Sequence, residues 1–134
     1  MKYLLDSNIF IFLLQENFES ISHQQYEILN NPTNKLLLSE ASLYEIGIKV
    51  RTGKLSLNLN TIEQQRKRLK ISLLKSRQAF YTNIPKVPMV FKKNGDKHGD
   101  PFDLLIISQA LSENLPVLSS DEYFPSYKGL ITIK

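Results

Sequence analysis

Cysteine is absent from this 134-residue chain, which excludes disulfides and thiolate metal sites and is compatible with a reducing cytoplasm, the expected location. Internal repeats and low-complexity segments are also missing, and histidine is limited to His23 and His98. The first apolar stretch, residues 3–14, is broken by Asp6, Ser7 and Asn8 and lacks a basic leader or a small-residue cleavage site. It is neither a signal peptide nor a membrane span.

What is present is ordinary for a globular chain: 42% hydrophobic and 22% charged residues, which argues against disordered, collagen-like and coiled-coil classes. The length suits one domain, and no internal boundary is expected. A net charge of +4 and a pI near 9.3 favour a polyanionic partner without naming one.

Short apolar runs bounded by turn residues alternate with helical patterns. Residues 2–5, 35–38, 70–74, 116–118 and 130–134 read as strands, and 9–14, 20–30, 39–51, 61–69, 76–83 and 100–114 as helices. Residues 85–99, with two prolines and Asn94-Gly95, form the longest irregular stretch, the kind of loop that is often functional. This alternation predicts a layered α/β domain with a mainly parallel sheet.

Four carboxylates stand out in that frame, because ligand sites in open parallel sheets form outside the carboxyl ends of the strands. Asp6 follows the first strand and reads either as a helix cap or, if Ser7 and Asn8 provide the cap, as a free acid. Glu45 reads either as an exposed partner of Lys49 or as a semi-buried acid, and its apolar neighbours Leu43, Tyr44, Ile46, Ile48 and Val50 favour the second. In Asp100-Pro101-Phe102-Asp103 the first acid is the cap, which leaves Asp103 facing whatever lies above the sheet. Asp121 is a turn acid at the end of another strand. Converging carboxylates need a cation, and Mg²⁺ or Mn²⁺ held by carboxylates points to phosphoryl-ester chemistry. His23 and His98 are not assigned as ligands, since nothing nearby in sequence supplies imidazole or thiolate company.

The runs Leu4-Leu5-Asp6-Ser7-Asn8, Ser39 to Lys49 with Gly53-Lys54-Leu55, His98-Gly99-Asp100-Pro101-Phe102-Asp103, Ile106 to Ala110 and Leu118-Ser119-Ser120-Asp121, in that order, resemble the PIN-domain family. Within it, they are most similar to the VapC-type toxins of bacterial toxin–antitoxin pairs. The resemblance implies an α/β/α sandwich on a five-stranded parallel sheet and Mg²⁺- or Mn²⁺-dependent endoribonuclease activity. It also implies Asp6, Glu45, Asp103 and Asp121 as the first to fourth acids, a small cognate antitoxin, and a homodimer. The chain departs from the pattern at Gly99 and Leu104, where close relatives carry Arg, and neither position is a metal ligand.

For the RNA, Lys92, Lys93 and Lys97 lie in the loop leading to the acids, whereas the run Arg66, Lys67, Arg68 and Lys70 is expected to be a solvated face. Tyr81, Phe91 and Tyr123 are candidates for base stacking or for the core. Ile9, Phe10, Phe12 and Phe18 are candidates for a protein interface, with burial the default. The competing readings are a non-catalytic RNA-binding or scaffold module of the same fold and a metal-dependent phosphatase. The first should have lost acids, and the second should show a second nearby Asp after strand one.

Overall fold

The computed structural model describes residues 1–134. Alternation along β1 (Lys2–Leu5) shows how the layers form: Tyr3 and Leu5 enter one core and Leu4 the opposite one. The same period of two divides β2 (Lys35–Ser39), which sends Leu36 and Leu38 one way and Leu37 the other. A strand apolar on both faces must be covered on both, and helices do this. On the first face, α1 (Ser7–Leu14) contributes Ile9 and Phe10, α3 (Glu40–Arg51) Ile46, and α4 (Leu59–Arg68) Ile62. On the other, α6 (Pro101–Glu113) contributes Ile106, Ile107 and Ala110.

The remaining elements are α2 (His23–Asn30), β3 (Ile71–Leu74), α5 (Gln78–Thr82), β4 (Val117–Leu118) and β5 (Thr132–Ile133). All five strands pair in parallel, in the order β3-β2-β1-β4-β5. The chain winds outward from β1 to β3, then returns to the other side of β1 to place β4. The crevice between the carboxyl ends of β1 and β4 is therefore the topological switch point, where such sheets bind ligands.

Most boundary differences from expectation have local causes. Helix α2 starts at His23 rather than residue 20 because Ser22 and Gln25 form a reciprocal capping box, while Phe18–Ser20 makes a separate 3₁₀ turn. Helix α4 starts two residues early because the Asn58 side chain accepts from Asn60 N at 2.9 Å. Pro116 falls outside β4: it has no N–H to give, and only its carbonyl pairs, with Leu4 N at 2.9 Å. Asn114 ends α6 in the left-handed conformation (φ 54°), which Asn tolerates.

The irregular stretch is tied down more than its composition suggests. Phe91 bridges Lys97 around a turn at Gly95 (φ 89°), and His98 N donates to Val90 O at 2.8 Å. Val90 and His98 are both buried. Of the four apolar residues considered for an interface, Ile9 and Phe10 are wholly buried and Phe12 partly so; Phe18 alone is exposed. No helix is long and apolar enough to cross a membrane.

Candidate metal centre

Asp6 leaves β1 at the switch point, where its backbone N–H donates to Leu118 O at 2.9 Å. One carboxylate oxygen accepts from Ser7 N at 2.8 Å and caps α1; the other accepts from Ser119 Oγ at 2.8 Å across the crevice. The cap reading therefore holds for Asp6 itself, and Ser7 and Asn8 do not take over the cap to leave it free. Ser119 Oγ also accepts from Asp121 N at 3.1 Å, and the Asp121 carboxylate accepts from Tyr123 N at 2.7 Å. A chain of short bonds thus fixes two acids from two strand ends. Asp6 is only 4% exposed. Burial pushes its carboxyl up to about 6, against the pull of the Ser119 and Ser7 hydrogen bonds, with the charges of Glu45 and Asp121 adding to the rise.

Glu45 is the semi-buried acid of the two readings, though it keeps the pair with Lys49. Its Oε2 lies 3.2 Å from Lys49 Nζ, the i,i+4 pair, yet its side chain is only 13% exposed. Ser7 Oγ lies 2.8 Å from both Glu45 Oε1 and Ser42 Oγ. A carboxylate can only accept, so the Ser7 proton goes to Glu45. Glu45→Gln loses the Lys49 pair, a loss of about 0.3–0.5 kcal/mol, and relieves repulsion felt by Asp6 and Asp103. The metal-free melting temperature of Glu45→Gln is expected at or slightly above that of the wild type, while the RNA cleavage that the sequence resemblance implies should fall strongly. Scanning fluorimetry in EDTA beside a cleavage assay checks both, and unchanged cleavage would reject a role for Glu45.

Asp100 is the cap of α6, as expected, accepting from Phe102 N and Asp103 N at 3.0 Å. Asp103 is thereby released toward the cleft, its side chain 19% exposed. Burial first, and then the charges of Asp6, Asp100, Asp121 and Glu45, push its carboxyl up to about 8. Asp6 thus feels the charges of Glu45 and Asp121, and Asp103 those of Asp6, Asp121 and Glu45. The tightest grouping, however, is Asp103 and Asp121 with His98, whose donor atoms all lie within 4.8 Å of one another. Asp6 and Glu45 stand outside that grouping.

His98 is the residue that sequence reasoning passed over. It is 7% exposed, its ring packed among Tyr123, Phe124 and Tyr127 at centroid distances of 5.4, 6.4 and 5.7 Å. Its Nδ1 lies 2.5 Å from Tyr127 OH and its Nε2 3.3 Å from Asp103 Oδ2. The signal that could have found it was its place at the head of the run ending in Asp103; company in space comes from aromatic residues near the C-terminus. Burial, with the charges of Asp103 and Asp121, pushes the Tyr127 hydroxyl up to about 12, so it stays protonated. Four carboxylates gathered at the switch point, two of them with carboxyls pushed upward, are a donor set that fits a divalent cation such as Mg²⁺ or Mn²⁺.

Among the basic residues, Arg66 is not on a solvated face. It is buried, with Nε 2.6 Å from Glu63 and Nη1 2.6 Å from Ile71 O, and so ties α4 to β3. Arg66→Ala is expected to destabilise the fold by about 1–3 kcal/mol by orphaning the Ile71 carbonyl. Chemical denaturation measures this, and RNA cleavage below the transition should be unaffected. Lys92, Lys93 and Lys97 are exposed, with Lys93 3.7 Å from Glu122. Tyr81 and Phe91 are exposed, whereas Tyr123 packs on His98.

The sheet order and the acids at its switch point define a doubly wound α/β domain with a carboxylate-lined cleft. The chain belongs to the PIN domain family, whose sequence pattern matches residues 3–130. Its fold is similar to that of VapBC2 from Rickettsia felis, solved bound to a DNA fragment from its promoter: TM-score 0.70, 17% identity, covering 99% of this chain and 98% of that one. VapBC-1 from nontypeable Haemophilus influenzae gives 0.63 and 21%, covering 100% and 98%. A toxin–antitoxin complex from Klebsiella pneumoniae gives 0.59 and 15%, covering 98% and 96%. At these identities the likeness is one of fold. No curated protein matches the chain in sequence.

Proposed function

We propose that this protein is a Mg²⁺- or Mn²⁺-dependent endoribonuclease, the toxin of a bacterial toxin–antitoxin pair, acting in the cytoplasm as one nuclease domain over residues 1–134. The observation that carries the reading is the gathering of Asp6, Glu45, Asp103 and Asp121 at one cleft, where burial first and then the charges of neighbouring acids raise Asp6 and Asp103. Membership of the PIN domain family and the fold likeness to VapBC complexes support it.

On this reading Asp6, Glu45, Asp103 and Asp121 hold the cation, directly or through water. When bound, the cation supplies Lewis acidity at the phosphodiester and lowers the pKa of water. The chain's own groups do the positioning. Ser119 holds Asp6 and the Asp121 backbone together, and Ser7 and Lys49 hold Glu45. A carboxylate not engaged by the cation serves as proton acceptor for the attacking water. The lysines 92, 93 and 97 contact the RNA backbone. A small cognate antitoxin and a second copy of the chain are the protein partners.

A non-catalytic module would be expected to have lost acids, and all four are present and converge. A phosphatase would need a second Asp beside Asp6, where Ser7 and Asn8 stand. The deciding experiment incubates purified protein with RNA and Mn²⁺, with EDTA controls, and in parallel with a generic phosphate monoester. Cleavage of RNA alone, abolished by EDTA, is expected; monoester hydrolysis without RNA cleavage would favour the phosphatase, and no turnover of either would favour the scaffold.

A further inference from the structure

His98 has no part in the acid-only site proposed above, yet the fold buries it at the edge of that site. Its Nδ1 is committed to Tyr127 OH at 2.5 Å. The same hydroxyl donates to the His98 carbonyl at 3.3 Å. A tyrosine hydroxyl has one proton, so in the tautomer where that proton goes to the carbonyl the ring donates from Nδ1 to the hydroxyl oxygen, which leaves the Nε2 lone pair facing the cleft. Nε2 lies 3.3 Å from Asp103 Oδ2, an ion pair only if the ring is protonated, and it has no hydrogen bond to any other residue. Three aromatic rings hold the imidazole in this orientation.

This is the arrangement of a metal-binding histidine, whose second nitrogen is bonded to an outer group that fixes tautomer and ring angle. The 3.3 Å spacing is close to the separation of about 3 Å between adjacent ligands of one octahedral ion. Asp121 completes the set, its donor atom within 4.8 Å of both others. We propose that His98 is itself a ligand of the cation, through Nε2, in a mixed set with Asp103 and Asp121, and that Tyr127 is its positioning residue. Imidazole is a poor ligand for Mg²⁺ and a better one for transition metals, so between Mg²⁺ and Mn²⁺ the site favours Mn²⁺. The inference rests on the cation site proposed above and adds to it a nitrogen donor and a metal preference.

The test uses the full-length protein with Mn²⁺ alone. Electron spin-echo measurements on the Mn²⁺-loaded wild type are expected to show ¹⁴N modulation from a coordinated imidazole, lost in His98→Gln. By titration calorimetry, His98→Gln should weaken Mn²⁺ binding at least about tenfold and Mg²⁺ binding by less, which a merely structural role would not separate. Tyr127→Phe should keep the ¹⁴N signal with Mn²⁺ affinity about 10–100-fold weaker. Mn²⁺ bound by the wild type, with affinity dependent on Asp6, but without ¹⁴N modulation would overturn the assignment of His98 and leave the acid site standing. Absence of Mn²⁺ binding altogether would overturn both. Because the wild-type spectrum decides on its own, misfolding of either variant does not rescue the proposal.

Discussion

Asp103→Asn is expected to reduce RNA cleavage by more than about 100-fold, beyond the 10–100-fold typical of losing a group that only supports a ligand, while making the metal-free protein more stable. Both directions come from the same geometry. Asp103 lies half-buried at the first turn of α6, and the charges of Asp6, Asp100, Asp121 and Glu45 reach it. At neutral pH, without a cation, ionising it is costly; an amide of the same shape carries no charge to repel its neighbours. With RNA and Mn²⁺ the carboxylate is needed, and the amide is a weaker ligand. Cleavage assays, with melting curves in EDTA, measure the two effects. Wild-type cleavage by the purified variant would sink the site assignment. A large drop in metal-free stability would instead make Asp103 a structural residue, satisfied by contacts the amide cannot reproduce.

Much of this was legible in the sequence because strand periodicity and helix-start chemistry are local. The Asp100-Pro101 start of α6, the alternation along β1 and β2, and the placement of Asp6 at a strand end all depend on neighbours a few residues away. What was not legible depends on partners far along the chain. His98 looked solitary because its partners are Tyr123, Phe124 and Tyr127, 25 or more residues downstream. Arg66 looked like part of a basic surface run because its acceptor, Ile71 O, becomes available only once β3 is built beside α4. For Asp6 and Glu45 the sequence posed alternatives that the fold decides, Asp6 as the cap of α1 and Glu45 as a semi-buried acid that keeps its Lys49 pair. A buried carboxylate has two oxygens, and here one caps a helix or meets a lysine while the other accepts from a serine hydroxyl, Ser119 for Asp6 and Ser7 for Glu45.

The pH dependence of stability is the second large effect, and its sign follows from the raised carboxyls. Asp6 and Asp103 move from the ordinary value of 3.8 to about 6 and about 8 on folding. A carboxyl whose folded value is raised binds its proton more tightly in the native state, so its contribution to stability is complete below about pH 4. That contribution is lost as pH rises through about 6 for Asp6 and about 8 for Asp103. The metal-free protein is therefore expected to melt at progressively lower temperature between pH 5 and pH 8. A cation competes with those protons and binds the native state alone. Mn²⁺ at about 100 times its dissociation constant should add about 2.7 kcal/mol, or roughly 10 °C in a domain of this size. The gain should be larger at pH 8 than at pH 5, where protons already occupy the acids. Melting curves across this range in EDTA and in Mn²⁺ measure the difference, and Asp103→Asn should flatten the metal-free slope. A stability that rises with pH in EDTA would show that the acids are ionised and satisfied by the protein itself, and the case for a cation in the cleft would fall with it.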